Sequence, residues 1–134
     1  MLIHLYLIGG ALILLAGMHV GFPRYFRWKE DLAPLSLINR EMMQTHTFFI
    51  ALMVGMMGLL CLTSGRLLME TELGQRISLG LAVFWAIRLF FQHFIYSSAL
   101  WRGKTFETTV HVIFTVFWGY LSYVFYVVGT SAVT

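Results

Sequence analysis

The chain has 134 residues, 59% of them hydrophobic and 11% charged, and its mean hydropathy is +0.79. A soluble domain of this size exposes too much surface for that composition, and the length leaves no room for a soluble module. The formal charge of +3 does not point to nucleic acid, because the basic residues fall in short connections between apolar runs, where the positive-inside rule places them.

Four apolar runs predict an all-α, polytopic membrane protein: one transmembrane four-helix bundle over residues 1–134, with short loops. The first run covers about residues 2–22. No basic segment precedes it, and Ala16-Gly17-Met18 makes a poor cleavage site, so it reads as a retained helix. A longer connection follows over residues 21–41. Pro34 interrupts it, and Ser36 is placed to start an early turn leading into the second span. That span covers about residues 42–64 and stops at Gly65. It contains the single cysteine, Cys61, which permits no intrachain disulfide and reads as a small packing residue.

The third span covers about residues 77–97. The fourth begins near Thr105, a potential N-cap, and runs to about residue 129. Gly9-Gly10, Gly17, Gly55 and Gly58 suit close helix approach, either within one chain or against a partner subunit.

Charge orients the spans. The first loop holds Arg24, Arg27, Lys29 and Arg40, and the third holds Arg102 and Lys104. The second holds Arg66 and Arg76, balanced by Glu70 and Glu72. Loops one and three share a side, so six basic residues face two. The expectation is a bacterial inner or cell membrane, loops 21–41 and 98–106 in the cytoplasm, and both termini outside. Tyr25, Trp28 and Trp101 beside those basic residues fit an interfacial aromatic belt.

The ionisable residues inside the runs are the chemical signal, because such groups are costly in a membrane and usually face a bundle interior. His19, His46, His93 and His111 fall near helix ends on the cytoplasmic side, within roughly 10 Å of the interface at about 1.5 Å per residue. His4 falls near the opposite face. Arg88 and Gln92 share a helix face that Tyr96 continues. Glu107 and His111 share another, which Thr115, Trp118 and Ser122 extend. Arg88 lies deepest and calls for a counter-charge such as Glu107 or an acceptor such as Gln92. Plainer roles stand beside these: Glu107 also suits a helix first turn, and Arg88 with Glu107 also suits a structural ion pair.

Four functions remain open. A b-type haem would take His46 with His111 or His93 as axial ligands, aromatic walls, and Arg88 with Gln92 nearby. A transition-metal site would draw on His46, His93, His111 and Glu107. A proton path in an oligomer would use the same polar stripe, although Thr63, Ser64 and Ser122 are its main outer-half contributors. A non-catalytic accessory subunit of a membrane complex would use it for docking. A Gly-rich phosphate loop, G-x-S-x-G, H-E-x-x-H and paired C-x-x-C are all absent from the sequence.

Overall fold

The computed structural model describes residues 1–131 and is helical throughout, with no strand among the described residues. In chain order the helices are α1 (Leu2–Met18), α2 (Phe22–Tyr25), α3 (Trp28–Asp31), α4 (Leu37–Glu70), α5 (Glu72–Phe94) and α6 (Thr105–Thr130), with a 3₁₀ turn at Ser98–Leu100. Three of these, α4, α5 and α6, are long and apolar enough to cross a membrane. The expected first span is shorter than its hydropathy suggests. Helix α1 has 17 residues, about 25 Å of helix against a hydrocarbon core of about 30 Å.

The early end of α1 has a local cause. The amides of His19, Val20, Gly21 and Phe22 bond three residues back rather than four, which tightens the final turn. The His19 ring nitrogen Nδ1 shares a 2.8 Å hydrogen bond with the Leu15 carbonyl oxygen. Pro23 then sits in the first turn of α2, where its missing amide costs nothing. The connection continues through α3, where Arg27 adopts φ 54° and pairs with Glu30 across an exposed turn.

Helix α4 starts directly after Ser36, whose hydroxyl accepts from the Asn39 amide. It spans 34 residues but is not straight. Ser64 takes φ −126°, ψ 20°, beside the expected stop at Gly65, and helix resumes afterwards. Thr71 then caps α5 by accepting from the Gly74 amide at 2.9 Å. This cap carries the start of α5 back past Arg76 to Glu72, five residues before the expected start at residue 77. Hydropathy marks where a helix becomes apolar; capping marks where it begins. Helix α6 matches its expected limits to within a residue, with Lys104 rather than Thr105 at the cap position.

The chain divides into two compact units near the Ser64 irregularity. One is Ile3–Gly65. There α1 and α4 meet through glycine: a Cβ on Gly58 would stand 2.8 Å from the Gly9 carbonyl oxygen, and one on Gly9 would stand 2.8 Å from that of Gly58. Gly55 approaches Ala16 at ordinary contact distance, while Gly10 and Gly17 have open space. Two helices whose backbones touch gain dispersion contact that larger side chains would forbid.

The other unit comprises Met1–Leu2 and the chain from Arg66 onward. Its centre is the α5–α6 pair. On α5, Gly74, Ser78, Ala82 and Trp85 are buried, a stripe that grows from small to large along the helix. On α6 the buried residues are Trp118, Leu121, Val124, Phe125, Val128 and Gly129. Gly129 lets α6 pass against Leu79. At the other end Trp85 and Trp118 stack with centroids 5.0 Å apart and planes at 8°, a pair worth about 0.5–1.5 kcal/mol beyond its buried area. The hydroxyls of Ser78, Thr115 and Ser122 each donate to a carbonyl four residues back. That satisfies them without any partner helix.

Candidate functional site

The polar residues of α5 and α6 form a chain beside the tryptophan stack. It begins at Arg88, three residues beyond Trp85. Arg88 Nη1 donates to Gln92 Oε1 at 3.3 Å, one turn further along α5. Gln92 is 9% exposed, and its Nε2 lies 3.0 Å from His111 Nδ1 on α6. One buried amide therefore links a cation on one helix to an imidazole on the next.

The amide orientation follows from the donor inventory. A guanidinium has no acceptor, so the atom facing it must be the Gln92 oxygen. The NH₂ group then faces His111. Both of its hydrogens are donors, so His111 Nδ1 must accept. A neutral imidazole that accepts at Nδ1 carries its proton on Nε2. In this arrangement His111 is neutral, and its tautomer is set by a residue it does not touch, Arg88.

Aromatic rings hold both ends. The Arg88 guanidinium carbon lies 5.1 Å from the centroid of Trp118 and 5.4 Å from that of Tyr96. Such cation–π contacts contribute about 0.5–2 kcal/mol. Tyr96 lies just past the end of α5, so the arginine runs toward the C-terminal end of that helix, as a snorkelling side chain does. At the other end the His111 ring stacks on Trp101, with centroids 4.4 Å apart and planes at 19°. Trp101 reaches it because the loop reverses at Gly103, whose φ of +76° disfavours any residue with a Cβ. Thr108 ties the loop down by donating from its hydroxyl to the Trp101 carbonyl. His93 meets His111 edge to face at 5.2 Å.

The residues expected at the site divide as follows. Arg88, Gln92, His93 and His111 come together on α5 and α6. Glu107 does not join them: it is exposed in the first turn of α6, where a carboxylate favours the helix dipole. Arg88 meets an amide oxygen and two aromatic rings rather than a carboxylate, and the one ion pair among the described residues is Arg27–Glu30. His46 is exposed on α4 and belongs to the first unit. No group of three or more His, Cys, Asp or Glu residues able to hold a metal ion occurs among the described residues.

Trp101, expected in the interfacial belt, instead stacks on His111. The Trp-Arg-Gly-Lys sequence carries the signal for this, since a glycine turn two residues on brings the ring back over α6. The indole N–H groups of Trp85 and Trp118 are buried without an acceptor, at a cost of about 1–3 kcal/mol each. Packing and the Arg88 contact, rather than hydrogen bonding, account for tryptophan there. No protein-family model, curated protein or solved structure matches the chain.

Proposed function

We propose that the chain is an integral membrane protein of four spans, both termini outside, whose working part is a one-sided, proton-responsive centre at the cytoplasmic end of α5 and α6. Its role is that of an accessory subunit rather than a conductor. Three apolar helices of spanning length support the membrane setting. The observation that carries the centre is the Gln92 amide, held between Arg88 and His111. A proton added at His111 Nδ1 replaces an attractive contact with two opposed donors. The bond then breaks; His93 meets the new cation across the helix pair, Arg88 stands on the far side of the Gln92 amide, and Glu107 lies one turn back on α6. One protonation thus acts on both helices at once.

A through-membrane path has less support. The hydroxyls of Thr63 and Ser122 already donate to carbonyls of their own helices, so they offer little to a proton crossing the outer half.

Nitrogen-15 spectra of ring-labelled histidine in the detergent-solubilised protein test the centre. The expected result is a neutral His111 with its proton on Nε2, and loss of that signature on acidification. Unchanged proton leak in vesicles carrying the protein should accompany it. A His111 ring protonated on Nδ1 at neutral pH would refute the centre, and protein-dependent proton flux would restore the conductor. Reporter fusions test the topology: a cytoplasm-dependent reporter should be active between Arg24 and Arg40 and silent at the C-terminus.

A second reading has one observation in its favour, the 5.2 Å approach of His93 to His111. Two adjacent imidazoles are a natural pair of nitrogen donors for a transition metal. Ligation through His111 Nε2 would require that nitrogen to lose its proton and the Gln92 amide to turn. Stoichiometric metal in the purified protein would establish this reading in place of the first.

A further inference from the structure

We propose that Arg88, which also holds the Gln92 amide of the His111 centre, and the open groove beside it bind the phosphate headgroup of an anionic phospholipid, an inference that rests on the membrane setting proposed above. The groove has a volume of about 180 Å³ and is lined by Phe84, Ile87, Arg88, Phe91 and Tyr96. Apart from half-buried Arg88, every one of these residues is exposed. Residues 84, 87, 88 and 91 follow one another at helical spacing, so they form a single apolar face of α5 with one cation in it.

The charge in that face has no counter-ion. Of the five N–H donors of a guanidinium, one is used by Gln92 Oε1. Arg88 makes no ion pair, since Arg27–Glu30 is the only one among the described residues. The Tyr96 and Trp118 rings meet the guanidinium carbon at 5.4 and 5.1 Å from their centroids, contacts with ring faces that give the N–H groups no oxygen acceptor. A planar fork with donors to spare matches a phosphate, which accepts two parallel hydrogen bonds. The side chain also extends toward the C-terminal end of α5, the headgroup end in the proposed topology, and Ile87 and Phe84 precede it along the helix, in the direction an acyl chain would follow.

The test is tryptophan quenching in vesicles by lipids brominated on the acyl chain, with Trp28→Phe as the parent so that the remaining indoles are Trp85, Trp101 and Trp118. One vesicle set contains brominated phosphatidylglycerol in plain phosphatidylcholine, and the other reverses the bromination. The expected result is about a fivefold preference for the anionic lipid, the factor one basic residue near a charged surface contributes. Arg88→Leu should bring the ratio to about one, and Arg88→Lys, which keeps the charge without the planar fork, should give an intermediate ratio. Arg102→Gln with Lys104→Gln should retain it, because those loop residues act through the general surface potential.

Equal quenching by both lipids in the parent protein would overturn the proposal while leaving the membrane reading intact, and Arg88 would then await a partner subunit's carboxylate. No quenching by either lipid would overturn the membrane reading itself. A preference that survives Arg88→Leu and disappears in the Arg102/Lys104 variant would also overturn the proposal, by assigning it to the loop. Inorganic phosphate up to millimolar concentration should leave the ratio unchanged, since the acyl chain supplies the rest of the binding; competition by it would overturn the lipid assignment in favour of a free-phosphate site.

Discussion

Replacing Gln92 with leucine removes the side chain that bridges Arg88 on α5 to His111 on α6. Two bonds are lost, the 3.3 Å bond from Arg88 and the 3.0 Å bond to His111. The first lies within α5, where such a pair is worth about 0.2–0.5 kcal/mol; the second crosses between helices, where side-chain bonds average about 0.6 kcal/mol and reach about 1.7 kcal/mol. The pair together should therefore be worth about 1–2 kcal/mol. Arg88 is not stranded by the change, since it keeps its contacts with Trp118 and Tyr96, so the larger penalty of an orphaned buried charge does not apply. Unfolding of the full chain by titration with a denaturing detergent should report this loss. Gln92→Glu is the informative companion. A carboxylate accepts from both neighbours, so it keeps the Arg88 contact but requires a proton on His111 Nδ1. Stability should be close to that of the parent, while the His111 nitrogen spectrum should change to the Nδ1-protonated or imidazolium form. If Gln92→Leu leaves both stability and the His111 spectrum unaltered, the amide bridge is not present in the folded protein and the reasoning fails.

Glycine packing gives a second prediction: Gly58→Ala puts a Cβ 2.8 Å from the Gly9 carbonyl and should cost about 1–3 kcal/mol by overpacking. Gly10→Ala meets open space and should be neutral or stabilising by up to about 1 kcal/mol, as read by thermal unfolding in detergent. Arg88→Leu and Glu107→Gln should have additive effects on stability, because Glu107 is exposed and outside the Arg88 contacts; a coupling above about 0.5 kcal/mol in the double-mutant cycle would show that they interact. Trp85→Phe removes a buried donor that has no acceptor and should fall within about 1 kcal/mol of the parent. Trp85→Leu should lose a further 0.5–1.5 kcal/mol, roughly the worth of the aromatic stack on Trp118, and equal losses for the two variants would refute the stacking argument.

Much of the architecture is local and therefore legible in order along the chain. Apolar runs longer than a soluble core requires specify helices, and α4, α5 and α6 appear where those runs lie. The pairing of Arg88 with Gln92 is also local, because residues four apart on a helix meet whatever surrounds them. Helix ends were less legible. Thr71 extends α5 past the apolar boundary, and the turn at residues 19–22 shortens α1, since caps depend on individual hydrogen bonds that hydropathy averages away. The chemistry of the site was decided by tertiary structure. Glu107 and His111 share a helix face, yet one is exposed in a first turn and the other is bonded to Gln92. Which acceptor satisfies Arg88 depends on how α5 and α6 meet along the Trp85–Trp118 contact. The protonation of His111 depends in turn on which way the Gln92 amide is held. Sequence by itself determined that these polar groups lie within apolar helices, because composition and spacing are properties of the chain. Which of them touch, and in which proton state, was decided only by the packing of one helix on another.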